Sequence, residues 1–101
     1  MTTYRGDEFS GTISFDNYTL KPNDTVNIGV KLSTESAEYI LFQSVKVEDS
    51  TSEVNFKFTS ETTHNLVPST YIFEIELIYA ESNEHETVYQ DELTVVGDVC
   101  R

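Results

Sequence analysis

Along most of this chain apolar and polar residues alternate with a period of two rather than 3.6, the signature of strands that turn one face to a core. In residues 8–15, Phe9, Gly11, Ile13 and Phe15 share one face, and Ser10, Thr12 and Ser14 the other. Residues 25–33 set Val26, Ile28, Val30 and Leu32 opposite Asn27, Gly29 and Lys31. Val54, Phe56 and Phe58 repeat the pattern with Asn55 and Lys57 outward. The strongest alternation places Tyr71, Phe73, Ile75, Leu77 and Tyr79 against Ile72, Glu74, Glu76 and Ile78. Two segments are ambiguous. In residues 38–48, Ile40 and Phe42 have one parity and Val45 and Val47 the other. A β-bulge or a break near Gln43-Ser44 is expected there, because one extra residue flips the face of everything after it. In residues 87–96, either Leu93 and Val95 or Val88 and Val96 point inward.

Turn-forming residues separate these segments. Pro22-Asn23-Asp24 closes a loop over residues 16–24, with Leu20 expected to tuck inward, and Asp49-Ser50-Thr51 turns the chain again. Residues 80–86 form a polar hairpin loop, and residues 60–69 a long polar connection of the kind that crosses between sheets. Six to seven short strands with no helical segment of convincing length predict an all-β fold. An antiparallel β-sandwich buries such faces most naturally, with a small β-barrel as the alternative. Residues 1–101 have room for a single domain.

Charge narrows the partners. Eighteen acidic residues against six basic ones give a net charge of −12, a field that repels phosphate backbones and anionic lipid, so neither nucleic acid nor membrane is expected. The same charge favours solubility, a basic partner or divalent cations. The first ten residues are polar and carry no apolar signal core. No segment reaches the roughly 20 apolar residues of a membrane helix. With Cys100 as the one cysteine, no intrachain disulfide is possible, and synthesis in a reducing bacterial cytoplasm is expected.

Three stretches carry a family resemblance. Tyr4-Arg5-Gly6-Asp7-Glu8-Phe9 leads into the first strand, and Leu66-Val67-Pro68-Ser69-Thr70-Tyr71-Ile72-Phe73-Glu74-Ile75-Glu76-Leu77 enters the strongest one. Thr87 through Leu93-Thr94-Val95 to Gly97-Asp98-Val99 closes the chain. In order and spacing these resemble the immunoglobulin-like domains of bacteriophage and prophage virion proteins, such as the N-terminal domain of the baseplate upper protein. Ser69 stands where that family usually has glycine. The resemblance implies an immunoglobulin-like sandwich, incorporation in a virion, and other virion proteins or further copies of itself as partners.

Candidate chemistry is sparse. Arg5-Gly6-Asp7 runs straight into a strand, so Gly6 is read as permitting an unusual backbone angle rather than as part of an integrin-type loop. Asn17-Tyr18-Thr19 and Asn23-Asp24-Thr25 match the glycosylation acceptor pattern, but no secretory signal would bring them to that machinery. His85-Glu86 lacks the second histidine of a zinc motif, since Tyr89 stands there, and His64 lies in another loop. No cofactor is expected. Oxygen-rich clusters at Asn23-Asp24, at Glu48, Asp49 and Glu53, and at Glu81, Glu84 and Glu86 leave calcium open, although none has EF-hand spacing. There is no nucleophile elbow, and the four glycines build no phosphate loop. Glu74 and Glu76 share one strand face and are read as its solvated side rather than as a carboxylate pair.

The expectation is therefore a non-enzymatic module that acts by protein–protein interaction in a virion tail, baseplate or head. Its interface is expected at Ile72, Glu74, Glu76 and Ile78, with Ile40 and Phe42 alongside. A module recognising cell-surface carbohydrate through Tyr4, Tyr18, Tyr39 and Tyr89 is the alternative.

Overall fold

In the computed structural model, which describes residues 1–16, 18–33, 35 and 38–97, every alternating segment is a strand. Asn17, Asp98 and Cys100, which figured in the sequence reading, lie outside the described residues. The elements run β1 (Thr2–Tyr4), β2 (Phe9–Ser14), β3 (Thr25–Lys31), β4 (Leu41–Lys46), β5 (Glu53–Phe58), α1 (Ser60–His64), β6 (Ser69–Ile78) and β7 (His85–Val96). The fold is all-β in character: a five-stranded sheet in the order β1-β7-β6-β3-β4 faces a two-stranded sheet of β2 and β5.

The larger sheet is mixed, which departs from the antiparallel expectation. β1 runs parallel to β7, pairing Thr2 with Thr94 and Tyr4 with Val96, while its other pairs are antiparallel. Arg5-Gly6-Asp7 explains how. The Arg5 N–H extends the pairing to Val96 O at 2.8 Å, and Asp7 N–H then bonds Tyr4 O at 3.0 Å. Gly6 at φ 87° takes the position of this turn that needs a left-handed backbone. The chain thus leaves the large sheet as β1 and enters the small one as β2. Lys21-Pro22-Asn23-Asp24 makes a second turn of the same kind, with Asp24 N–H to Lys21 O at 3.1 Å and Asn23 at φ 75°.

The core lies between the sheets. β6 supplies Tyr71, Phe73, Ile75 and Leu77, β3 supplies Val26, Ile28 and Val30, and β5 supplies Val54, Phe56 and Phe58, all buried. Leu20 is fully buried beside them, as its place in the loop implied. β4 and β5 bring the sheets together on one side, where the Lys57 N–H bonds Gln43 Oε1 at 2.9 Å.

Four local expectations are corrected. β4 pairs with β3 from Val30–Leu41 to Thr25–Lys46 without a register shift, so no bulge occurs at Gln43-Ser44. Leu41, Val45 and Val47 face inward, and Ile40 and Phe42 are outward residues, 43% and 50% exposed. The irregularity lies in the last strand instead. Ile75 pairs with Tyr89 and Glu76 with Thr87, so Val88 is the extra residue, and the two parities read there each hold for part of β7. Leu93 and Val95 are buried beyond the bulge. Leu32, expected inward, is 64% exposed, because β3 ends at Lys31. The polar connection holds the short helix α1, whose N-cap Thr59 side chain accepts from Thr62 N–H.

Glu74 is the fourth correction. It is buried, not solvated, and its Oε2 lies 2.7 Å from the Lys31 Nζ on the outer face of the sheet. β6 is therefore covered on both faces at its middle, around Glu74. In denaturant titrations Ile75→Ala is expected to lose about 2–5 kcal/mol through the cavity it leaves. Glu74→Ala on the opposite face should lose about 3–5 kcal/mol by stranding a buried lysine. A loss below about 0.5 kcal/mol for Glu74→Ala, the value for an exposed position, would contradict this placement.

Candidate functional site

Strand pairing arranges the outer face of the large sheet in rows. Thr25, Ile78 and His85 form one row, Asn27, Glu76 and Thr87 the next, then Gly29 with Glu74, and finally Lys31 with Ile72. Ile72 and Ile78 do share this face, but Glu74 and Glu76 lie between them and both isoleucines are half-buried. The sequence-nominated residues therefore form no continuous apolar surface. Between the isoleucines sits a polar cluster. Glu74 accepts from Lys31, from Thr87 Oγ1 at 3.0 Å and from Tyr39 Oη at 3.2 Å. Burial pushes the Glu74 carboxyl upward, yet the bonds from Lys31, Thr87 and Tyr39 win and hold it below the usual carboxylate range. Asn27 Nδ2 donates to Glu76 Oε1 at 3.1 Å, and His85 Nδ1 stands 3.4 Å from the same oxygen. Gly29 is required here: a Cβ on it would stand 2.2 Å from the Tyr39 ring. That ring also packs 5.2 Å from Phe42, which with Ile40 forms a small apolar corner beside β4.

The larger feature is on the opposite side, where the sheets do not meet. Phe9, Ile13 and Phe15 of the small sheet are only partly buried, whereas Val54, Phe56 and Phe58 of β5 are buried. Beyond β2 a cleft of about 470 Å³ reaches Phe56 and Phe73 at its floor and Val88 and Tyr89 on its far wall. Gly11 helps to open it, since a Cβ there would lie 3.0 Å from the Phe56 ring. Phe9 packs edge-on against Phe56 and Phe73, with ring centres 5.6 and 5.7 Å apart. The hollow continues past Phe15 and Val88 into a space of about 360 Å³ bordered by Asp16, Tyr79 and Glu86. From Tyr18, Tyr79 and Glu86 it runs on into about 300 Å³ bordered by Lys21, Glu81 and Glu84. Adjacent hollows that share lining residues thus make up a trough that is apolar at one end and acidic at the other.

Asp24 anchors the acidic half, a role that its turn chemistry concealed. It is 2% exposed. Its Oδ2 accepts from Tyr18 Oη at 2.8 Å and Lys21 N–H at 2.9 Å, and its Oδ1 from Ala80 N–H at 2.9 Å. One carboxylate therefore ties the β2–β3 loop to the β6–β7 hairpin. Burial raises its pKa, but the Ala80, Lys21 and Tyr18 donors outweigh that and leave it lowered. Tyr18 is pushed up to about 12 by burial and by this bond. Its ring meets Tyr79 edge-on at 5.4 Å, and Tyr79 donates to Glu86 at 2.7 Å.

Of the four tyrosines considered for carbohydrate, Tyr18 and Tyr89 line different parts of the trough, whereas Tyr39 covers the outer face and Tyr4 belongs to β1. Glu48, Asp49 and Glu53 border one shallow hollow. Among the described residues no group of three or more His, Cys, Asp or Glu side chains is placed to hold a metal ion, and no helix is long and apolar enough to cross a membrane. In comparisons with known proteins, no family model and no curated protein matches the chain.

The lowered Asp24 pKa fixes the sign of a pH effect. Its contribution to stability is fully present above the unfolded value near about 4 and disappears as the pH falls through the lower folded value. Asp24→Asn is expected to lose about 1–3 kcal/mol at pH 7, and the gap to wild type should narrow below about pH 4. Urea titrations at both pH values check this, and a gap independent of pH would contradict it.

Proposed function

We propose that the chain is a non-enzymatic, immunoglobulin-like module of a phage or prophage virion, made in the bacterial cytoplasm, that works by holding another virion protein. Two features support the immunoglobulin-like part of the reading. One is the order β1-β7-β6-β3-β4 opposite β2-β5. The other is the Tyr71 hydroxyl donating to Val67 O at the foot of β6, the place of the tyrosine corner in that fold. The family resemblance read from the sequence supports the virion setting.

The open side of β2 carries the functional part. A strand with one free edge, whose own inward side chains Phe9 and Ile13 are only partly covered, is what another protein completes. The charge of −12 works against crowding copies of the chain together at low salt and favours a partner of opposite sign. Co-expression with the proteins encoded beside it, which this reading expects to be virion components, followed by size-exclusion chromatography, is expected to yield a stoichiometric complex. Ile13→Lys, with its fold checked by thermal melting, is expected to release the partner. Failure to associate with any of those proteins would overturn the reading.

A further inference from the structure

The edge of β2 has a defined chemistry. Phe15 N–H donates to Ser52 O at 2.8 Å, on the β5 side. Backbone groups alternate in direction along an antiparallel strand, so Phe9, Gly11 and Ile13 also spend their N–H and C=O groups on β5. Those of Ser10, Thr12 and Ser14 point to the open edge. Among the described residues β5 is the strand paired with β2. A row of free backbone donors and acceptors thus runs along the cleft of about 470 Å³. The row covers β2, about 20 Å of extended chain at roughly 3.3 Å per residue.

We propose that this edge takes an extended segment of a partner protein as an added strand, apolar at alternate positions and ending in lysine or arginine. The inference rests on the reading of the chain as a protein-binding module and specifies how it binds. Main-chain hydrogen bonds to Ser10, Thr12 and Ser14 would hold the segment, and its alternate side chains would enter the cleft toward Phe56 and Phe73. Charge selects the occupant. The trough ends among Glu81, Glu84 and Glu86, with Lys21 already 3.5 Å from Glu81, so the segment's basic residues meet carboxylates there. A second copy does not fit this description. β2 is flanked by Asp16 and by Glu8, which Lys57 already pairs at 3.1 Å, and the net charge of −12 on each copy opposes joining two of them edge to edge.

The test is a titration of the full chain, followed through its backbone amides by NMR. The probe is a peptide alternating threonine and valine and ending in two lysines. Saturable shifts are expected at Ser10, Thr12 and Ser14. Affinity should fall at least about tenfold for a peptide ending in two glutamates, and likewise for peptides N-methylated at alternate residues, made in both registers. Thr12→Pro removes an outward N–H that the β2–β5 pairing does not use, so the fold is expected to survive while binding falls by at least about tenfold. If that variant unfolds, the methylated peptides still decide the matter. Equal binding of methylated and unmethylated peptides overturns strand addition, as does the lack of a saturable response up to about 1 mM. Shifts of the same amides on concentrating the protein alone, with doubled mass, assign the edge to a second copy and overturn the proposal. If the peptides fail while the chain still co-purifies with its virion neighbours, strand addition falls and the protein-binding reading stands.

Discussion

A pair of strands spaced about 4.8 Å apart cannot cover the inner face of a five-stranded sheet, and this mismatch shapes the molecule. β4 and β5 approach closely enough for Gln43 to bond the Lys57 backbone, which closes one side. The whole deficit therefore falls on the other, between β2 and β7. There the inward side chains of β2 remain half-covered, although they have the same alternation as those of β5. The Val88 bulge lies on this side too.

Buried carboxylates stiffen the frame around that opening. Glu74 with Lys31 covers the middle of the outer face of β6, and Asp24 joins two loops at the far end of the trough. Each is surrounded by donors that offset the cost of removing a charge from water. The remaining acids stay mostly at the surface, and those around the acidic half of the trough give the opening a polarity from apolar to negative.

Much of the fold was legible because alternation reports burial directly. Phe9 to Phe15, Val26 to Val30, Val54 to Phe58 and Tyr71 to Leu77 face as their parity implies. What stayed hidden depends on the neighbours a strand acquires. Glu74 reads as solvated until β3 sets Lys31 diagonally across from it. Ile40 and Phe42 invited a bulge because exposed apolar residues at an edge strand mimic a core face. The parallel pairing of β1 required knowing that residues 92 positions apart become neighbours, as Thr2 and Thr94 do. The trough had no local sign, since it is a gap between elements. Gly11, in an otherwise apolar row, was the nearest to a signal.

Binding at the open side requires β2 to have one used edge and one free one. Amide hydrogen exchange of the isolated protein measures this directly, because protection follows backbone pairing residue by residue. Gly11, Ile13 and Phe15 should be protected, whereas Ser10, Thr12 and Ser14 should exchange near the rate of an open chain. Equal protection at all six positions would mean that the edge is already occupied, and the open side of the fold would not exist in solution.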